Sequence, residues 1–139
     1  EAASEFLTFS KANNVAVWLN MHAVTEAQRR KGDDGLPVAP YAEDTEGGGK
    51  FVNRADCFMT IHRKVQAMDP EIRKMSELHI RKVREVETGG APTPLEDPYR
   101  LQMNLSHTGF TTMTGQRALY QPITFREEAT MPLNMEFLS

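Results

Sequence analysis

Thiol chemistry is almost missing from this sequence: one cysteine, Cys57, excludes an internal disulfide and a cysteine-built zinc site. A reducing compartment is the expected setting. The four histidines, His22, His62, His79 and His107, are scattered without metal-pair spacing, so no metal site is expected. No apolar run approaches the roughly 20 residues needed to cross a bilayer, and the first residues are not a basic-then-apolar leader. The expectation is therefore a soluble chain with no membrane partner. Excess charge of one sign is missing too. Lys and Arg number 16 against 19 Asp and Glu, for a net charge of −3. A pI near 5.8 argues against holding nucleic acid by bulk charge, so any such contact has to be local. There is no G-x-S-x-G elbow, and Cys57 has no defined histidine partner for thiol catalysis. A phosphate loop of the G-x-x-x-x-G-K-[ST] type also fails: Gly47-Gly48-Gly49-Lys50 is followed by Phe51, and the upstream glycine is out of register.

What is present fits one modest core: 139 residues, 40% hydrophobic and 25% charged. Glu1 to Asn13 read as a helix already under way, with Ala2, Phe6 and Phe9 at helical spacing and no cap before them, which suggests a chain continuing upstream. Asn13-Asn14 stops it. Val15 to Met21, β-branched and aromatic, reads as a buried strand. Val24 to Lys50 is a polar, glycine- and proline-punctuated loop of a length that is usually functional or disordered. A short turn with helical character leads to a second strand, Cys57 to His62. Lys64 to Lys74, interrupted by Pro70, reads as an exposed excursion. A third strand runs from about Leu78 to Val86 and ends at Gly89-Gly90. On it Leu78, Ile80, Lys82 and Arg84 share one face, with His79, Arg81, Val83 and Glu85 on the other. Tyr99 to Leu105 alternates, with Tyr99, Leu101, Met103 and Leu105 inward, and Gly109 turns the chain into Phe110 to Met113. The expected fold is α/β, with strands 15–21, 57–62 and 78–86 in one mixed sheet and an edge β-hairpin from the Tyr99 and Phe110 strands. Residues 1–114 form the domain, and 115–139 a tail or docking arm.

Three features point to phosphate chemistry. His22 lies just beyond the first strand, where ligands bind in open α/β sheets; it is either a phosphate donor or a plain surface histidine. Lys82 and Arg84 place two cations about 7 Å apart on one strand face. They face either a polyanion or nearby Glu85 and Glu87. Gly47 to Lys50 offer exposed amides and one lysine to a nucleic-acid phosphate, or serve as a linker. The basic run Arg29-Arg30-Lys31 is diluted by Asp33 and Asp34 and reads as solvated.

Three blocks in fixed order resemble the C-terminal half of the RecA-like P-loop ATPase motor of DnaB-type replicative helicases, closest in flavour to Twinkle-like and phage primase-helicases. They are SEFLTFSKANNVAVWLNMHA, PVAPYAEDTEGGGKFVNRADCFMTIHR and HIRKVREVETGG followed by PYRLQMNLSHTGF; together they span about Ser4 to Phe110. The resemblance implies an ATP-dependent DNA helicase that forms a ring of identical subunits, a hexamer, around single-stranded DNA, with a primase attached or separate. By the same resemblance His22 senses the γ-phosphate. Asn53, where the family usually has glutamine, and Asp56 couple nucleotide state to DNA. Glu46, Gly47, Gly48, Gly49 and Lys50 touch the single strand. Lys82 and Arg84 are the fingers that reach a neighbouring subunit's nucleotide. ATP and Mg²⁺ are the implied cofactors of the complete protein. The Walker residues that hold them would lie upstream of Glu1, so this chain alone is expected to bind neither and to hydrolyse nothing. A cytoplasmic setting follows, or a mitochondrial one if the protein is Twinkle-like. Two alternatives stand beside this: a non-catalytic nucleic-acid-binding or assembly module on a RecA-like scaffold, and a recombinase or KaiC-like ATPase.

Overall fold

The computed structural model describes residues 2–104 and 109–115. Helix α1 spans Ala2–Asn13. It ends as the asparagine pair predicts: Asn14 turns left-handed at φ 51°, and the Asn13 side-chain amide donates to the Phe9 carbonyl at 2.9 Å. Short helices α2, Thr25–Arg29, and α3, Gly49–Arg54, follow. Strand β1 is Cys57–His62, helix α4 Pro70–Lys74, strand β2 Met75–Val83, helix α5 Val86–Gly89, strand β3 Tyr99–Asn104 and strand β4 Gly109–Thr112. Helix α4 lies inside the expected excursion. Pro70 opens it rather than breaking it, because a first-turn residue has no N–H obligation, and the Asp69 carboxylate caps the Glu71 N–H at 2.8 Å.

The fold is mixed α/β around one four-stranded sheet, ordered β1-β2-β3-β4, in which every pairing is antiparallel. The edge hairpin of β3 and β4 is as expected, with Leu101 opposite Thr112 and Met103 opposite Phe110. Leu105 and the tail beyond Gly115 lie outside the described residues. Three expectations are corrected. The segment 15–21 is not a strand: it has no strand partner among the described residues, and Trp18 is 76% exposed. Apolar, β-branched composition favours a strand only where a neighbour supplies backbone hydrogen bonds, and no described strand lies alongside. Without it the sheet is antiparallel rather than mixed. The third strand begins and ends three residues earlier than expected, and Glu85 leads into the α5 turn, which closes on Gly90 at φ 79°.

A bulge sits in β2. Phe58 pairs with Lys82 and Met59 with Ile80, leaving Arg81 as the extra residue. The face carrying Thr60, His62, Glu77 and His79 is covered by the long loop, which is ordered against it. Thr60 Oγ1 donates to the Pro40 carbonyl at 3.1 Å, and His62 Nε2 to that of Pro37 at 3.0 Å. The opposite face carries the row Ile61, Leu78, Tyr99 and is open: Ile61 is 77% exposed, and Tyr99, expected inward, is exposed as well. Among the described residues the buried positions are small or polar, with one proline: Ala3, Ala27, Ala39, Ala67, Thr45, Thr60, Ser76, His79 and Pro98.

Candidate functional site

The predicted site residues form one hydrogen-bonded tract. It begins at exposed His22, whose carbonyl accepts from the Glu46 N–H at 3.0 Å; Ala23 bridges Thr45, and the Val24 N–H reaches the Asp44 carbonyl at 2.7 Å. These backbone bonds set His22 beside the glycine loop, with the whole covering loop looped out between them.

The glycine loop then tightens. The Gly48 N–H donates to the Thr45 carbonyl at 2.8 Å, and Gly47 and Gly48 take φ of 88° and 65°. Both values favour glycine, and a Cβ on Gly47 would also lie 3.0 Å from the Phe51 ring. Gly49 starts α3, so the triplet is the hinge into a helix and not a free linker.

The far end of α3 meets β2. The Ala55 N–H closes on the Phe51 carbonyl at 3.0 Å, which leaves the carbonyls of Val52, Asn53 and Arg54. Lys82 Nζ donates to Val52 at 2.7 Å and to Asn53 at 3.2 Å. Arg84 donates through one terminal nitrogen to Asn53 and Arg54, each at 3.2 Å, and through the other pairs with the Asp56 carboxylate at 2.7 Å. The Arg84 N–H also reaches the Asp56 carbonyl at 2.7 Å. Cations at a helix C-terminus are stabilised by its partial negative charge. The two cations therefore have partners in their own chain, neither Glu85 nor Glu87. The pair is open to water, with the Arg84 side chain 39% and the Asp56 side chain 73% exposed. Asn53 takes part through its carbonyl.

No protein-family model matches the chain, and no curated protein is significantly similar to it.

A second cluster was not foreseen. The Arg30 and Arg81 guanidinium groups lie over the Tyr41 ring, 4.8 and 4.9 Å from its centre. Arg30 pairs with Asp44, and Arg81 donates to the carbonyls of Ala39 and Pro40 at 3.4 and 3.3 Å. Arg30 was expected to be solvated with its basic neighbours. Only its distance from Asp44 and Tyr41 in sequence hid this role. His79, 4% exposed, sits on the same covered face, with Nε2 3.4 Å from Glu77. Burial first, then the Arg81 charge, pushes its pKa below the usual imidazole value, against an opposing pull from Glu77. Burial likewise lowers Arg81 from the usual guanidinium range. This cluster fastens the long loop to the sheet. Among the described residues no group of His, Cys, Asp and Glu is arranged to hold a metal ion, and no helix is long and apolar enough to cross a membrane.

Proposed function

We propose that the chain is the DNA-facing part of a RecA-like, ATP-driven motor of the hexameric replicative-helicase type. The supporting observation is the continuity of the tract. Blocks that the resemblance assigns to a phosphate sensor, a DNA loop and trans-acting fingers are distant in sequence, yet the first bonds to the second through the His22 carbonyl and Glu46 N–H, and the third meets the far end of α3. Lys82 and Arg84 suit the phosphate oxygens of a nucleotide by charge and donor geometry. A magnesium nucleotide, when bound, supplies the phosphoryl group for transfer. Arg84 would stabilise negative charge there, and the glycine loop with the Lys50 ammonium would track a nucleic-acid backbone.

The second reading is a non-catalytic nucleic-acid-binding or assembly module. It is favoured by the own-chain partners of Lys82 and Arg84, which give both cations a structural task. The complete protein carrying Arg84→Ala separates the two. The motor reading expects DNA-stimulated ATP hydrolysis to collapse while nucleotide binding and folding persist. Turnover equal to wild type would leave the module.

A further inference from the structure

The contacts that occupy Lys82 and Arg84 are of a kind that can be exchanged. Three are hydrogen bonds to backbone carbonyls at 3.2 Å, one is a shorter bond to Val52, and the ion pair with Asp56 is largely in water. Exposed ion pairs contribute little, because water screens them and two long side chains lose freedom. A polyphosphate presents several full negative charges and would compete for the same donors. Helix α3 has only the residues Gly49–Arg54, so it cannot hold itself by internal hydrogen bonds alone, and its last turn depends on outside partners.

We propose that Asp56 and the carbonyl end of α3 form an internal latch that competes with a polyphosphate anion for Lys82 and Arg84, so that capturing the anion loosens α3 and the glycine hinge at its other end. This rests on the reading of Lys82 and Arg84 as phosphate ligands. Asp56 is then a positioning residue: it parks Arg84 when no anion is present. The glycine hinge is where the loosening would be felt, since Gly47 and Gly48 leave the loop without side chains to brace it.

The test uses the full 139-residue chain and inorganic triphosphate. Binding is followed by calorimetry, and solvent exchange of the Ala55 amide, which closes the last turn of α3, by NMR. The latch expects triphosphate to speed Ala55 exchange. It expects Asp56→Asn, at an exposed position, to tighten triphosphate by about twofold to fivefold, the range an exposed pair can hold back. If triphosphate binds, is lost in Arg84→Ala, and neither changes Ala55 exchange nor tightens in Asp56→Asn, the latch is wrong while the phosphate-ligand reading survives. If triphosphate binds equally well without Arg84, or not at all, the latch falls, while the motor reading, which places the nucleotide on a neighbouring subunit, is decided separately by the ATP turnover of Arg84→Ala in the complete protein.

Discussion

Arg81 and Arg84 stand three residues apart on the same stretch of chain and have opposite surroundings. Arg81, the bulge residue, is held inside the loop, over Tyr41 and against two carbonyls. Arg84 lies at the rim, over the end of α3, beside an exposed carboxylate. A cation in the first setting organises the fold, because its contacts are shielded from water; one in the second can change partners. Residue type does not separate them. The bulge and the covering loop do.

The largest effect that would sharpen this contrast is catalytic. In the complete protein, Arg84→Ala should lower DNA-stimulated ATP turnover on the order of a thousandfold, whereas Arg81→Lys should act on stability before turnover. Mixing Arg84→Ala subunits with a Walker-lysine variant should recover part of the activity at mixed interfaces; recovery of none would argue against a finger acting between subunits.

Next comes the covered cluster. Tyr41→Ala removes the ring beneath two guanidinium groups and should destabilise the fold by about 2–3 kcal/mol in urea unfolding, while Tyr41→Phe keeps the ring and should cost less than about 1 kcal/mol. Equal losses in the two variants would show that the ring faces are not what matters.

A smaller effect concerns pH. The folded pKa of His79 lies below its unfolded value, so the unfolded chain binds a proton that the folded one resists. The corresponding stability is complete above the unfolded pKa and is lost as pH falls from there through the lower folded value. The urea midpoint should therefore drop on the acid side of the ordinary imidazole range, and His79→Gln should flatten that part of the profile. An unchanged slope in the variant would assign the pH dependence to other groups.

The smallest is electrostatic. Lys50→Ala should reduce the salt dependence of single-strand binding by about one unit or less, equally for all sequences. A sequence-selective loss would point to base contacts in place of phosphate contacts.

The sequence by itself determined the local elements. The asparagine pair stopped α1, alternation marked β3, and the glycine triplet set the entry to α3, because each depends on the backbone preferences of a few adjacent residues, whereas Pro70, read as an interruption, opens α4. It also picked out Lys82 and Arg84 as a pair of neighbouring cations, although β2 ends at Val83 and the bulge at Arg81 takes Lys82 off the Leu78 and Ile80 face. Only the tertiary structure decided what those side chains touch. The segment 15–21 has the composition of a strand but no backbone partner among the described residues, and Tyr99 has the alternation of an inward residue but an open face. The Tyr41 cluster joins residues from positions 30, 41, 44 and 81, and α3 receives its cap from β2. Contacts between distant segments depend on which elements come to lie side by side, and nearest-neighbour preferences carry no record of that.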